Sequence, residues 1–369
     1  MSADTPNQAA AVTGREQRVL EIIETARAKR PRFRDARVTM AHGAGGKATQ
    51  TLIEGLLLPA FNNPALEVLG DAGRIRAGDS QLAMTTDSFV VRPLRFPGGS
   101  IGELAVNGTV NDLAVSGARP LALSLSMILE EGLDSAVLRA EMEAVAAAAR
   151  TAGVSIIAGD TKVVERGHAD GMYLCTTGVG IVDPRADTSP AGLRAGDRVI
   201  VSGTVGDHGT AIMLARNEFD LDADIESDTR SLWPAVDALL EAAGPAVHCM
   251  RDATRGGIAS ALNELARASG VAVRVSEAAI PVRPAVAGAA ELLGIDPAYI
   301  ANEGKFLAFV AAEAADAALA ALRAVAGCED AAVIGEVLSE PPGMVLVDTA
   351  FGGLRVMDQL VGDPLPRIC

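Results

Sequence analysis

Apolar and polar positions alternate along the chain in two rhythms. Apolar runs of strand character occupy residues 81–91, 121–129, 154–158 and 172–182. Between them, at 47–58, 101–116 and 135–151, apolar positions recur every three to four residues and predict helices. At 183–197, Pro184, Pro190, Gly192 and Gly196 stand among polar residues and read as a linker. The alternation then resumes, with strands expected at 199–202, 247–250, 271–275, 306–310 and 332–337 and helices at 209–217, 232–243, 257–269 and 313–326. Alanine-rich runs at 144–149 and 311–321 read as helix interiors. The expected fold class is α/β, mixed with α+β, in two domains. An extension at 1–36, helical in pattern over 16–29, precedes a first domain at 37–182. A second domain follows at 198–350, and then a tail at 351–369.

The chain has 369 residues, more than one typical core, which agrees with two domains. Although 49% of residues are hydrophobic, no uninterrupted apolar run approaches the roughly 18 residues of a membrane span. The leader has no apolar stretch before a small-residue cleavage site, so no secretory signal is expected and the expected location is the cytoplasm. Cys175, Cys249, Cys328 and Cys369 form no C-x-x-C pair and fit neither a zinc site nor a disulfide framework, so reduced thiols are expected. With 32 basic and 47 acidic residues the net charge is −15, which disfavours nucleic acid and anionic membranes as partners. Any phosphate ligand must then be met by local features.

Two features suit such a ligand. His42-Gly43-Ala44-Gly45-Gly46-Lys47 precedes a helical pattern, and glycines let backbone amides approach an anion while Lys47 adds positive charge. The Walker A spacing is absent, and a plain glycine-rich turn is an equal reading. The second feature is a scatter of aspartates at expected strand ends and turns: Asp87, Asp112, Asp160 and Asp252. Carboxylate oxygens suit magnesium, which also binds substrate phosphates, although each aspartate alone means little and Asp252, before the Gly256-Gly257 helix, reads first as a cap. Asp207 and His208 read as cap and surface residues, and His168 and His248 as structural. The chain ends Pro364-Leu365-Pro366-Arg367-Ile368-Cys369, a thiol behind two prolines that hold the backbone extended. That end reads either as a carrier arm or as a frayed terminus with an incidental cysteine.

Taken together, Gly43-Ala44-Gly45-Gly46-Lys47, the run from Pro97-Gly98-Gly99 through Asn111-Asp112 to Arg119-Pro120, Gly159-Asp160-Thr161-Lys162, Met250-Arg251-Asp252-Ala253-Thr254-Arg255-Gly256-Gly257, Asn302-Glu303-Gly304-Lys305 and Pro366-Arg367-Ile368-Cys369 resemble the HypE family of hydrogenase maturation proteins. The likeness covers about residues 37–369. The glycine and aspartate motifs indicate the superfamily of aminoimidazole ribonucleotide synthetase, selenophosphate synthetase and thiamine monophosphate kinase, and the terminal Pro-Arg-Ile-Cys selects HypE. The leader before Arg37 is longer than is usual in the family.

The resemblance implies an ATP-dependent carbamoyl dehydratase. Cys369 would receive a carbamoyl group from HypF and be dehydrated to S-cyanide, which passes to iron on a HypC and HypD complex. It further implies ATP and Mg2+ as cofactors, with Asp87, Asp112, Asp160 and Asp252 on the metal. Gly43, Gly45, Gly46, Lys47 and Asn111 would lie near the phosphates, Glu303 and Lys162 would serve as candidate bases, and a homodimer would form through the first domains. A salt bridge between domains is the competing reading of Glu303 and Lys162. Selenophosphate synthetase is a rival enzyme reading, weakened because no cysteine precedes Cys175. A non-catalytic carbamoyl carrier is the other.

Overall fold

The computed structural model describes residues 32–61, 63–216 and 224–360; residues 1–31 and residues 361–369, with Cys369, lie outside them. A short helical stretch opens the described chain, α1 (Lys47–Leu52), a π-helical turn (Ile53–Leu57), α2 (Leu58–Phe61) and α3 (Pro64–Glu67). The first sheet has the order β1-β2-β7-β5-β6, from β1 (Gly73–Ala77), β2 (Ser80–Phe89), β5 (Ala118–Glu130), β6 (Ser155–Val164) and β7 (Met172–Val182). A two-residue ladder, β3 (Arg95–Phe96) with β4 (Gly99–Ser100), leads into α4 (Ile101–Val115), and α5 (Ser135–Ala152) follows β5. Asp134 caps α5, its carboxylate accepting the Ala136 amide at 2.8 Å.

One face of this sheet is filled and the other is bare. Ala83, Thr85 and Phe89 of β2 and Leu123 and Leu125 of β5 are buried on the side of α4, whereas Met84 and Ile128 are exposed on the opposite side. The alternation of β2 and β7 is that of a half-covered antiparallel sheet. Gly108 of α4 is what lets helix and sheet close up, since a Cβ there would lie 2.8 Å from the Phe89 ring.

The second sheet has the order β14-β13-β10-β12-β8-β11-β9. Its strands are β8 (Arg198–Val201), β9 (Val247–Asp252), β10 (Ala272–Ser276), β11 (Phe306–Val310), β12 (Ala332–Leu338), β13 (Met344–Asp348) and β14 (Leu354–Met357). Helices α6 (Asp207–Ala215), α7 (Trp233–Ala243), α8 (Gly257–Ser269), α9 (Pro284–Leu293) and α10 (Ala315–Arg323) surround it. β11 is buried at every position, and it reads accordingly as an unbroken apolar run, Phe-Leu-Ala-Phe-Val. Helix α4 serves both halves: Ile101, Leu104, Ala105, Val106 and Val110 join the first core, and Ala114 and Val115 join Ile200, Leu232 and Met250 of the second.

Three expectations are corrected here. β6 runs to Val164, so Gly159-Asp160-Thr161-Lys162 lies within a strand and not at its end. β14 pairs with β13 in the second sheet, so structured chain continues beyond residue 350 through a turn at Phe351-Gly352-Gly353. Asp207 and His208 are fully buried and not surface residues, because Thr204 donates to Asp207 at 2.6 Å and His208 Nδ1 pairs with Ser227 Oγ at 2.8 Å.

Candidate active site

Where the two sheets meet across α4, carboxylates converge from distant parts of the chain. Asp112 lies in the last turn of α4, Asp252 ends β9, and Asp71 precedes β1; one oxygen from each lies within 4.8 Å of the other two. Thr85 Oγ1 donates to Asp112 Oδ2 at 2.7 Å and fixes its rotamer. Asp87 faces the same helix, with Oδ2 standing 3.6 Å from where a Cβ on Gly108 would be. Burial, with the charges of Asp252, Asp71 and Asp87, pushes Asp112 well above the ordinary carboxylate range. Burial and Asp71 do the same to Asp252, against the pull of Arg251. Asp71 itself is raised to about 6, chiefly by burial, despite its ion pair with Arg251 at 3.0 Å. Carboxylates this crowded and this poorly solvated are satisfied either by protons or by a cation. An all-oxygen donor set fits a hard divalent ion such as Mg2+.

Glu303 adjoins this cluster. It is buried, and desolvation together with Asp87, Asp228 and Asp252 holds its carboxyl well above the usual range, while Arg255 opposes the shift. Its backbone is clamped from both sides: the amide donates to Asp228 Oδ1 at 3.0 Å, and the carbonyl accepts from Asn111 Nδ2 at 3.0 Å. Lys305, two residues on, sits 3.7 Å from Asp228 Oδ2 with both side chains buried.

Four of the residues singled out in the sequence have other partners. Asn111 spends its whole amide on the chain, donating also to Arg230 O and accepting from Leu232 N at 2.7 Å. It therefore braces α4 against the second domain and has nothing left for a phosphate. Lys47 Nζ bonds Asp358 Oδ2 at 2.7 Å, and both side chains are exposed. Asp160 and Lys162 are exposed and pair with each other at 2.7 Å. Through the pairings Asp87↔Thr176, Leu125↔Thr176 and Leu125↔Gly159, β6 stands three strands from Asp87, about 14 Å at ordinary strand spacing. Asp160 is in register with Ser126 and Cys175, which puts it on the bare face of the sheet. Gly43, Gly45 and Gly46 pack on the turn before α8 and on residue 360.

Asp71, Arg251 and Asp228 were not among the sequence candidates. Asp71 had a signal: Gly70-Asp71-Ala72-Gly73 is another glycine-flanked aspartate beside a strand.

Two domains, each an α/β layer, meeting at an acidic cluster define a class. Residues 69–182 match the N-terminal domain of AIR synthase related proteins, and residues 194–348 match their C-terminal domain. The chain is 50% identical over 337 residues to the carbamoyl dehydratase HypE of Bradyrhizobium diazoefficiens, covering 91% of this chain and 97% of that protein. A crystal structure of HypE in complex with ATP superposes with a TM-score of 0.76 at 45% identity, over 90% of this chain and all (100%) of that one. HypE from a HypE-HypF complex superposes at 0.80 with 41% identity, over 84% of this chain and 99% of the other. The chain belongs to the HypE family of carbamoyl dehydratases.

Proposed function

We propose that this chain dehydrates an S-carbamoyl group on Cys369 to S-cyanide at the expense of ATP, making the cyanide ligand for the iron of [NiFe]-hydrogenase. One observation carries the reading: in a chain half identical to carbamoyl dehydratases, a buried proton-accepting group, Glu303, adjoins an all-oxygen cation cluster at the domain junction. Asp71, Asp87, Asp112 and Asp252 would hold Mg2+, which supplies charge neutralisation for the phosphates when bound. The thiocarbamate oxygen takes the γ-phosphoryl group of ATP, which makes an oxygen that leaves poorly as hydroxide leave as phosphate. Both nitrogen protons depart as the carbon–nitrogen triple bond forms. Glu303 accepts one of them, its burial having raised its proton affinity towards the working pH.

The bare sheet face supports a homodimer, as does the position of Asp160 and Lys162. A second copy packed on that face would cover Met84 and Ile128 and bring the Asp160–Lys162 pair to an intersubunit site, where Asp160 would join the metal set and Lys162 would be the second base. HypF is the carbamoyl donor in this scheme, and a HypC and HypD complex accepts the cyanide. The test is the intact mass of the C-terminal peptide after pre-carbamoylated protein meets ATP and Mg2+. Loss of one water from the modified cysteine supports the reading, and hydrolysis of ATP without that loss refutes it.

A further inference from the structure

The glycine-rich segment at 43–47 has the look of a phosphate cradle, yet its backbone is already committed. The Ala44, Gly45 and Lys47 amides donate to Ala41 O, Thr49 Oγ1 and Leu360 O respectively, so three donors a phosphate would use are taken. The helix that follows runs on from α1 through the π-helical turn to Phe61, and the amide of its first residue, Lys47, is among those taken. What the glycines permit is close approach of another part of the chain. Gly46 has φ −102°, a conformation open to any residue, but a Cβ there would stand 2.6 Å from Leu360 O. Gly45, at φ +75°, lies against Arg255, where a Cβ would meet the carbonyl at 2.9 Å. Lys47 adds its ion pair to Asp358.

The same short stretch is held from its other side. Asn263 of α8 donates to Met357 O at 3.0 Å, Tyr299 OH donates to Asp358 O at 2.9 Å, and Arg267 bonds the buried Gln359 side chain. Residues 357–360 are thus gripped between the glycine-rich segment and α8 immediately before the tail that ends in Cys369. We propose that segment 43–47 is a mooring for the root of the C-terminal tail, with Gly46 and Lys47 acting as positioning residues for the reaction at Cys369. This rests on Cys369 being the carrier. Nine residues separate the moored root from the thiol, a reach of at most about 30 Å. A fixed origin at that tether length keeps the modified thiol at high effective concentration over the cleft, and loosening the origin dilutes and misdirects it. Phosphate affinity plays no part in this role.

The experiment is single-turnover conversion of pre-carbamoylated protein with ATP and Mg2+, read by mass of the C-terminal peptide, beside ATP binding by calorimetry. Gly46→Ala, Lys47→Met and Asp358→Asn should each slow conversion roughly threefold or more, with ATP affinity and HypF-dependent carbamoylation unchanged. The charge exchange Lys47→Asp with Asp358→Lys should recover most of the rate. Asp358 is exposed, so its variant stays informative if Gly46→Ala folds poorly. Unchanged rates in Lys47→Met and Asp358→Asn overturn the mooring. So does weakened ATP binding in Lys47→Met with Asp358→Asn silent, which would return Lys47 to the phosphates, and so does a charge exchange that fails to rescue. If wild-type protein forms no thiocyanate, it is the carrier reading that fails instead.

Discussion

Asp112 follows Gly108-Thr109-Val110-Asn111 and Asp160 sits between Gly159 and Thr161, and the two aspartates meet opposite fates. Asp112 is crowded by Asp71, Asp87 and Asp252 at the domain junction and strongly favours a proton or a cation. Asp160 stands on an edge strand in solvent, where hydrogen bonds and charge from Lys162 hold its carboxyl below the ordinary range. The first is a cluster already assembled by one chain, whose carboxylates repel one another. The second is a satisfied surface pair, which under the proposed dimer would join a site only when a second copy covers the bare sheet face. Under the proposed dimer, the acidic residues divide by whether the fold or an assembly completes them.

That division can be broken experimentally, most severely at its buried end. Glu303→Gln keeps shape and hydrogen bonding but cannot accept a proton, so cyanation should fall by about 100-fold to 10,000-fold while carbamoylation and ATP binding persist. A variant that merely melts earlier and cyanates normally per folded molecule would reduce Glu303 to a structural residue. Asp112→Asn should weaken Mg2+-dependent ATP binding roughly 100-fold in calorimetry. In the metal-free protein the same change should raise the melting temperature, because it removes a poorly solvated charge that its neighbours repel. Unaltered binding would show that the cluster is not the metal site.

Asp160→Asn and Lys162→Met sharpen the exposed end. Each should leave folding untouched and lower cyanation by about 10-fold or more, and mixing Asp160→Asn protein with Asp112→Asn protein should restore part of the activity if the pair serves a neighbouring subunit, because one site of the mixed dimer then has both aspartates. No recovery on mixing, with dimers present in ultracentrifugation, would confine the pair to its own chain. The smallest effect is one of pH. Asp71 titrates near 6 when folded against 3.8 as its ordinary value, so its contribution to stability is full below the lower figure and is lost as pH rises through the upper. Metal-free protein should therefore melt somewhat higher at about pH 5.5 than at about pH 7.5, and Asp71→Asn should flatten that difference.

Part of this was legible in sequence because aspartates set in short polar stretches, such as Thr85-Thr86-Asp87-Ser88, Asn111-Asp112 and Asp252-Ala253-Thr254, are placed to bring carboxylates to shared space. Asp87, Asp112 and Asp252 were found that way. Asp71 was not, although Gly70 flanks it, because residue 71 lies outside every element the sequence predicts. Asn111 and Lys47 look ligand-ready in a string of letters, yet the partners that occupy them, at 230, 232, 303 and 358, lie more than a hundred residues away. The edge strand β1 escaped notice because Gly-Arg-Ile-Arg-Ala offers one large apolar residue, and that residue is exposed.

Helix α4 has one further consequence. All its residues except Glu103 and Asp112 are buried, and its two ends are built into different cores. Neither half can melt without stripping a wall from the other, so heating should give a single calorimetric transition although two family domains are joined in the chain. The amides of Ile101–Val115 should be among the last to exchange with heavy water, opening only when the entire molecule does.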